Sequence, residues 1–390
     1  DLKNIQRFLE LDSSVTVSTN EIEHHGLDPW VQWVSVHTGV PHESHQIDHL
    51  AETNNLKYPQ IWDVLGKEGY TSGLWGIMNS SKRNTQNCKF FFPDPWSFNE
   101  KAFPKNINDF LALPRYYSKN YMSLSINKVI RKTLRLLKFL LLDVNIFYLR
   151  KEIMYSIINS IKFGFMCLNK SNKNNKLETF QNILFTLFDL FSAKIFIKYK
   201  NKYNPNLSII FFNSLAHAQH KAWDKDFLSK DIIFTLKTID IIFGILLKKF
   251  NSKDAVLILN GLSQKNVDGA DYYIYRQINP EQFIKNLGLK FSRLEQCMTS
   301  ESHIFFNNVE DLDKAFHILK EAKVVEKNLF HVEKDRYDSR KLFYQIDFFN
   351  FLDKDTKFSI ANKEISFYKY FAILARRTGA HSPDGKAFYH

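Results

Sequence analysis

Three histidines stand where this chain could do chemistry. His217 and His220 lie three residues apart in Leu215-Ala216-His217-Ala218-Gln219-His220-Lys221-Ala222-Trp223, and His381 sits in Thr378-Gly379-Ala380-His381-Ser382-Pro383-Asp384-Gly385. Imidazole nitrogen is a ready ligand for a divalent transition metal, and Zn accepts imidazole and carboxylate together. Asp28, with His24 or His25, would complete a tetrahedral set around these histidines. A plainer reading stands beside this one. It makes His217 a solvent-facing or hydrogen-bonded residue at a helix start and His24-His25 loop residues. Asp28-Pro29 and Pro93-Asp94-Pro95-Trp96 are then turn chemistry, and Trp30, Trp33 and Trp96 are core residues. Cys88, Cys167 and Cys297 lie far apart and form neither a metal-type spacing nor a disulfide framework. They read as buried or free thiols, which fits a reducing, cytoplasmic setting.

The elements that must position these residues follow from hydrophobic patterning. The 390 residues, 44% hydrophobic and 24% charged, suit a large globular domain, and the 36 Phe call for a large aromatic core. The chain opens on a helical pattern, Ile5, Phe8, Leu9, where a doubly wound domain opens on a buried strand. The expectation is that a first strand has been cut away ahead of residue 1. Residues 1–114 read as α/β, with a helix at 60–67 stopped near Gly69 and a strand at 71–76. Residues 115–203 read as a helical insertion. Ile126, Val129, Ile130, Leu134, Leu137 and Leu141 recur at helical steps, with Lys and Arg between them. This segment holds 17 Lys+Arg against 4 Asp+Glu, and the rest of the chain is close to neutral. Residues 204–271 return to α/β through a strand at 207–212, a helix at 227–250 and a strand at 255–259. Both apolar strands are expected at the centre of one parallel sheet. Residues 272–370 read as a small α+β subdomain, with strands at 303–306, 329–332 and 341–346 around a helix at 309–322. Residues 371–390 return to the core after a helix at 368–375.

Four stretches resemble one known family. Trp33-Val34-Ser35-Val36-His37-Thr38-Gly39-Val40-Pro41-His42-Glu43-Ser44-His45-Gln46-Ile47 is similar to the type I phosphodiesterase signature W-x-S-x-x-T-G-x-x-P-x-x-H-G-I, with the Pro one place early. Phe211 to Trp223 resembles a strand ending in S-T-D-R-x-Q-H-x-x-W. Ala255 to Leu262 occupies the place of a strand ending in S-D-H-G, and Thr378 to Gly385 resembles the terminal T-G-x-H-x-x-x-G. They occur in the family's order and span most of the chain. The resemblance is to the alkaline phosphatase superfamily, on its type I phosphodiesterase/nucleotide pyrophosphatase branch. It implies an α/β fold with a mostly parallel sheet and helices on both faces. It also implies metal-dependent hydrolysis of phosphoesters, with His220 and His381 as metal ligands and the helix carrying Ser35 and Thr38 facing the phosphate. A helix N-terminus suits an anion because its free N–H groups and dipole favour negative charge.

The departures weigh as much as the matches. Ala216 stands where the family has a metal-binding Asp, Gly261 and Leu262 stand where it has Asp and His, and Pro29 falls near the nucleophile position. Two-metal catalysis needs those ligands to activate the nucleophile and clamp the phosphoryl oxygens. The expectation is one divalent ion, Zn or Mn, on His220, His381 and His217, and no two-metal centre. The only catalytic candidate is Asp28. Two functions follow: a phosphoester hydrolase or transferase with a remodelled site, or a degenerate member that binds an anion or a glycan without turnover. A small-molecule or glycan ester fits either. No nucleic-acid module is present. The basic insertion reads as a solvated helix face packed on the core, with contact to an acidic membrane surface as the other reading.

Overall fold

The computed structural model describes residues 2–17, 27–82, 85–121, 124–168, 173–223, 228–250, 253–267 and 272–389, except for the side chains of 160–161, 163–168 and 173–177. His24 and His25 lie outside the described residues. The chain divides into two compact units. One is Asp1–Arg115 with Asn127–Asp268 and Thr378–His390, and the other is Tyr116–Ile126 with Gly269–Arg377.

The first unit begins with α1 (Lys3–Leu9), β1 (Asp12–Val17), α2 (Pro29–Thr38), α3 (His42–His45), α4 (Ile61–Lys67), β2 (Ser72–Trp75) and β3 (Cys88–Phe92). The helices α5 (Ile107–Asn120), α6 (Ile126–Lys138), α7 (Arg150–Leu168) and α8 (Lys173–Tyr203) follow, of which residues 116–120 and 126 are counted to the second unit. The unit continues through β4 (Leu207–Ile210), α9 (Ser214–Lys221), α10 (Lys230–Leu247), β5 (Leu257–Asn260) and β6 (Ser263–Asn266). The starts and stops have local causes. Pro29 takes the first turn of α2 and Gly39 ends it in the left-handed region. Gln60 and Asp63 form a capping box on α4, and the Ser229 side chain caps α10.

Strands β3, β2 and β4 pair in parallel, in that order. Alternation along them sends side chains to two layers. Trp75, Phe90 and Phe92 pack with Phe110 of α5 and with Leu190, Phe196 and Tyr199 of α8. Leu74 and Phe91 pack with Trp62 of α4. Helices therefore cover both faces of this small sheet, and the expected aromatic core is its α5/α8 side. Trp75 stacks on Phe92 with ring centroids 4.7 Å apart. Residues 115–203 are helical throughout their described length, apart from short turns, and 127–203 belong to the first unit. The stretch Glu178–Tyr203 of α8 has the length and apolarity of a membrane span, yet more than half of its most apolar window is buried in this core.

The central sheet is not the one the sequence predicts. Ile209 lies in β4 of the parallel sheet, but Leu257 lies in β5, which pairs antiparallel with β18 (Asp384–Tyr389). The apolar run 255–259 does not mean burial on both faces: Leu257 is exposed, and its neighbours are half-buried at best. Each of β5 and β4 lies at the edge of a three-stranded sheet, with β18 between β1 and β5.

The second unit is α+β. It runs β7 (Tyr272–Gln277), α11 (Pro280–Asn286), β8 (Arg293–Gln296), β9 (Glu301–Phe305) and α12 (Val309–Lys320). Then come β10 (Lys323–Val324), β11 (Lys327–Asn328), β12 (Phe330–Lys334), β13 (Lys341–Ile346), β14 (Lys357–Ile360), β15 (Lys363–Ser366) and β16 (Phe371–Arg377). An antiparallel sheet β12-β13-β9-β8 packs under α12, with Leu312, Ala315 and Leu319 in its core. The expected helix at 368–375 is a strand. A 3-10 turn at Phe367–Lys369 leads into β16, which pairs antiparallel with β7. Pairing with Tyr272–Gln277 overrides a composition that suits either state. Arg276 of β7 is fully buried. Its guanidinium donates to the carbonyls of Cys297, Met298 and Thr299 and lies 4.3 Å from the Tyr121 ring. The chain returns to the first unit as β17 (Gly379–Ser382) and β18.

Candidate functional site

Helix α9 and the hairpin-like pair β6/β17 build the site. The two N-terminal N–H groups of Asn213 and Ser214 donate to the Asp189 carboxylate of α8, at 3.2 and 2.9 Å. Burial pushes that carboxyl up to about 6, against the pull of these donors. Asp189 thus fixes the start of α9, and His220 falls on its last turn. Strand β17 pairs antiparallel with β6 and sets His381 directly opposite Gln264. Thr378 ties the two parts together: its backbone N–H donates to the His220 carbonyl and its hydroxyl accepts from the Trp223 backbone N–H. Gly379 is the point of closest approach. A Cβ there would sit 2.2 Å from the Gln219 carbonyl oxygen and 2.6 Å from Trp223 Nε1, so only glycine fits.

The result is a pair of imidazoles, 161 residues apart in sequence, with their Nε2 atoms 3.2 Å apart. The rings meet edge to face, with centroids 4.7 Å apart. His220 Nδ1 faces the Gly379 carbonyl oxygen at 3.5 Å, and the Gln264 amide donates from 3.2 Å to His220 Nε2 and from 3.3 Å to the Ala216 carbonyl. If Gln264 donates to His220 Nε2, then His381 must donate to it as well. One lone pair then faces two N–H groups. The Gln264 Oε1 atom, meanwhile, is buried without a hydrogen-bond partner.

His217, one turn earlier on α9, stays apart from this pair. Its ring stacks on Phe185 with centroids 4.3 Å apart and lies 6.5 Å from Trp96. Asp28 is the N-cap residue of α2, and Pro29 is that helix's first residue. Ser35 and Thr38 fall on the last turns of α2, away from its N-terminus. Ser35 Oγ is 3.0 Å from His45 Nε2, and the Thr38 hydroxyl donates to the Val34 carbonyl at 2.7 Å. The Pro93–Trp96 stretch is a turn: buried Asp94 accepts from the N–H groups of Asn79, Trp96 and Ser97 and from the Ser97 hydroxyl. Trp33 packs edge-on to Phe211, and a Cβ added at Gly261 would meet its indole at 3.6 Å. Gly261, which the resemblance sets in the place of a metal-binding Asp, therefore faces an aromatic ring.

Among the described residues, no group of three His, Cys, Asp or Glu side chains comes together to hold a metal. A two-metal centre does not fit this donor set. A single ion fits its geometry better. Two imidazoles on one tetrahedral ion, with Zn–N of ~2.0–2.1 Å, stand about 3.3–3.4 Å apart, close to the separation of this pair. Half a turn of the Gln264 amide would aim its unpartnered oxygen at the same point. Sequence reasoning missed Gln264 and Asp189. An acid inside the apolar run Phe185-Thr186-Leu187-Phe188-Asp189-Leu190-Phe191 was a signal for a buried cap, whereas Gln264 belongs to no motif.

No family model matches the chain, and no curated protein matches it. Among solved structures it is similar to phosphonoacetate hydrolase from Sinorhizobium meliloti 1021. In complex with phosphonoacetate, that enzyme aligns at 11% identity over 99% of this chain and 83% of that chain, with a TM-score of 0.39. In complex with phosphonoformate, the figures are 11%, 100%, 84% and 0.40. A likeness at this level assigns neither a family nor an activity, and the chemistry must be read from the site itself.

Proposed function

We propose that the chain is a divergent alkaline-phosphatase-superfamily protein that takes a phosphoester or a glycan ester at the His220–His381 pair, in a site remodelled for one divalent ion, Zn or Mn. The observation that carries this reading is the 3.2 Å between the two Nε2 atoms. Such an ion, when bound, supplies Lewis-acid polarisation of an ester oxygen. The chain's own residues do the positioning. The Gly379 carbonyl faces Nδ1 of His220 and so turns its Nε2 lone pair toward His381. The β6/β17 register holds His381 and Gln264 opposite each other. Pro29, near the nucleophile position, has no hydroxyl to attack phosphorus, so turnover is expected to be slow.

The test is calorimetric titration of the purified chain with Zn and Mn, alongside turnover of bis-p-nitrophenyl phosphate. One ion per chain and a slow turnover, both lost in a His220→Ala/His381→Ala double variant, are the expected results. Two ions per chain, or fast turnover that survives the double variant, would defeat the reading. A second reading is favoured by the absence of a third acidic or imidazole ligand among the described residues: a module that binds an anion or a glycan without turnover. It predicts ester binding with no ion and no product.

A further inference from the structure

The helix α6 has an unusual surface for a globular protein. None of its 13 residues is buried. At roughly 100° per residue, Ile126, Ile130, Leu134 and Leu137 share one stripe, and all four are exposed, Ile130 by 54% and Leu134 by 60%. Val129 and Leu136, on another side of the helix, are half-buried, and Leu136 packs on the core of the first unit. The stripe is therefore not the side by which α6 sits on the protein. Exposed Leu141, Leu142 and Phe147 follow it in sequence.

The remaining side is basic. Lys128, Arg131, Lys132, Arg135 and Lys138 are the only charged residues of α6, and none is acidic. Arg135 pairs with Asp109 of α5. Partial desolvation, then Arg135, Arg131 and Lys128 beside it, hold the Lys132 ammonium below its ordinary pKa. The cations of α6 thus repel one another.

We propose that α6 docks its apolar stripe into the surface of an anionic bilayer, with its Lys and Arg on lipid phosphates. An amphipathic helix with leucines and isoleucines on one face and Lys/Arg on the other lies in the interfacial plane, its apolar face among the acyl chains. Each basic residue near an anionic surface adds to that attraction, within about a Debye length. The charge complementarity selects this occupant over a second copy of the chain, which would bring the same cations face to face. The contact would place the first unit at a membrane surface without a spanning helix.

The full chain is tested by flotation with vesicles of phosphatidylcholine alone and of phosphatidylcholine with phosphatidylglycerol. The expected result is binding to the anionic vesicles, weakened by salt. An Ile130→Ser/Leu134→Ser/Leu137→Ser variant should lose at least about tenfold in affinity, as should an Arg131→Gln/Lys138→Gln variant. All five side chains are solvent-facing, so unchanged melting and circular dichroism serve as the folding control. Absence of flotation with anionic vesicles overturns the proposal, as does equal binding by both variants. A dimer in light scattering that the Ser variant disperses, without lipid binding, assigns the stripe to a second copy and overturns it too.

Discussion

Two groups of histidines in the first unit make opposite use of the same side chain. His37, His42 and His45 lie within one short stretch, and each has a local partner. His42 Nε2 is 2.7 Å from Asp48, His45 accepts from the Ile47 N–H and meets Ser35, and His37 faces the Met78 carbonyl at 3.4 Å and tilts against Trp62. His220 and His381 come from distant segments and converge on each other, with one amide beside them. The first group is spent on structure. The second brings two Nε2 atoms to 3.2 Å, beside an amide whose oxygen is buried without a hydrogen-bond partner. In the first group His37 keeps Nδ1 buried without a hydrogen-bond partner, so the contrast is one of geometry: the proposed ion site rests on the two facing Nε2 atoms of the second group.

That contrast breaks most easily with metal. Added Zn should raise the melting temperature of the wild-type chain, and His220→Ala should abolish the rise. Affinity should fall by more than the about 10–100-fold that loss of a supporting contact costs. His42→Ala should keep the rise while lowering the starting temperature. A rise that survives in His220→Ala and vanishes in His42→Ala would reverse the assignment of the two groups.

Acid should separate them next. Burial lowers His37 from 6.5 to about 3, and burial together with nearby His42 lowers His45 to about 4. Both rings are folded in their neutral form. Between these values and 6.5 the unfolded chain takes up more protons than the folded one. Their contribution is thus full above pH 6.5 and is lost as the pH falls toward 3. For His37 it amounts to roughly 4–5 kcal/mol across the window. Urea midpoints at pH 7 and pH 5 should differ by the part of this that falls between 6.5 and 5, about 2 kcal/mol for His37, and His37→Gln should flatten the slope. A stability that does not change between those values would remove His37 from its structural role.

A smaller effect is expected at Gly379. Alanine there would press on the Gln219 carbonyl, at a cost of about 1–3 kcal/mol, and would move His381 relative to His220. Denaturation and Zn titration of Gly379→Ala should both worsen. A loss of stability with unchanged Zn affinity would show that the pair does not depend on this packing. The finest adjustment is Gln264. Gln264→Glu supplies the carboxylate that the site lacks and should tighten Zn by about tenfold, and Gln264→Ala should weaken it by a similar factor. Equal affinities would take Gln264 out of the ligand set.

The sequence led to His220 and His381 through two motif fragments, and their partnership needed no pattern beyond those fragments. The helices of the 115–203 segment were legible because apolar residues recur at three- and four-residue steps over long stretches. Strand partners were not. Val256-Leu257-Ile258-Leu259 is apolar enough for a buried parallel strand, but its neighbour is β18, which arrives from more than a hundred residues away. Phe371-Ala372-Ile373-Leu374-Ala375 carries no period that separates helix from strand, so its pairing with β7 decided the outcome. Gln264 could be recognised only after β6 and β17 were seen to pair.

Strand β18 lies between β1 and β5, and among the described residues neither neighbour has another strand partner. In a chain made from its N-terminus, residues 12–17 and 257–260 must wait for residues 384–389 before either can join a sheet. The same late stretch delivers His381. Contacts of such large sequence separation close slowly and late. The histidine pair therefore forms only after residues 379–382 have joined β6, and a chain stalled before residue 379 would carry His220 without His381.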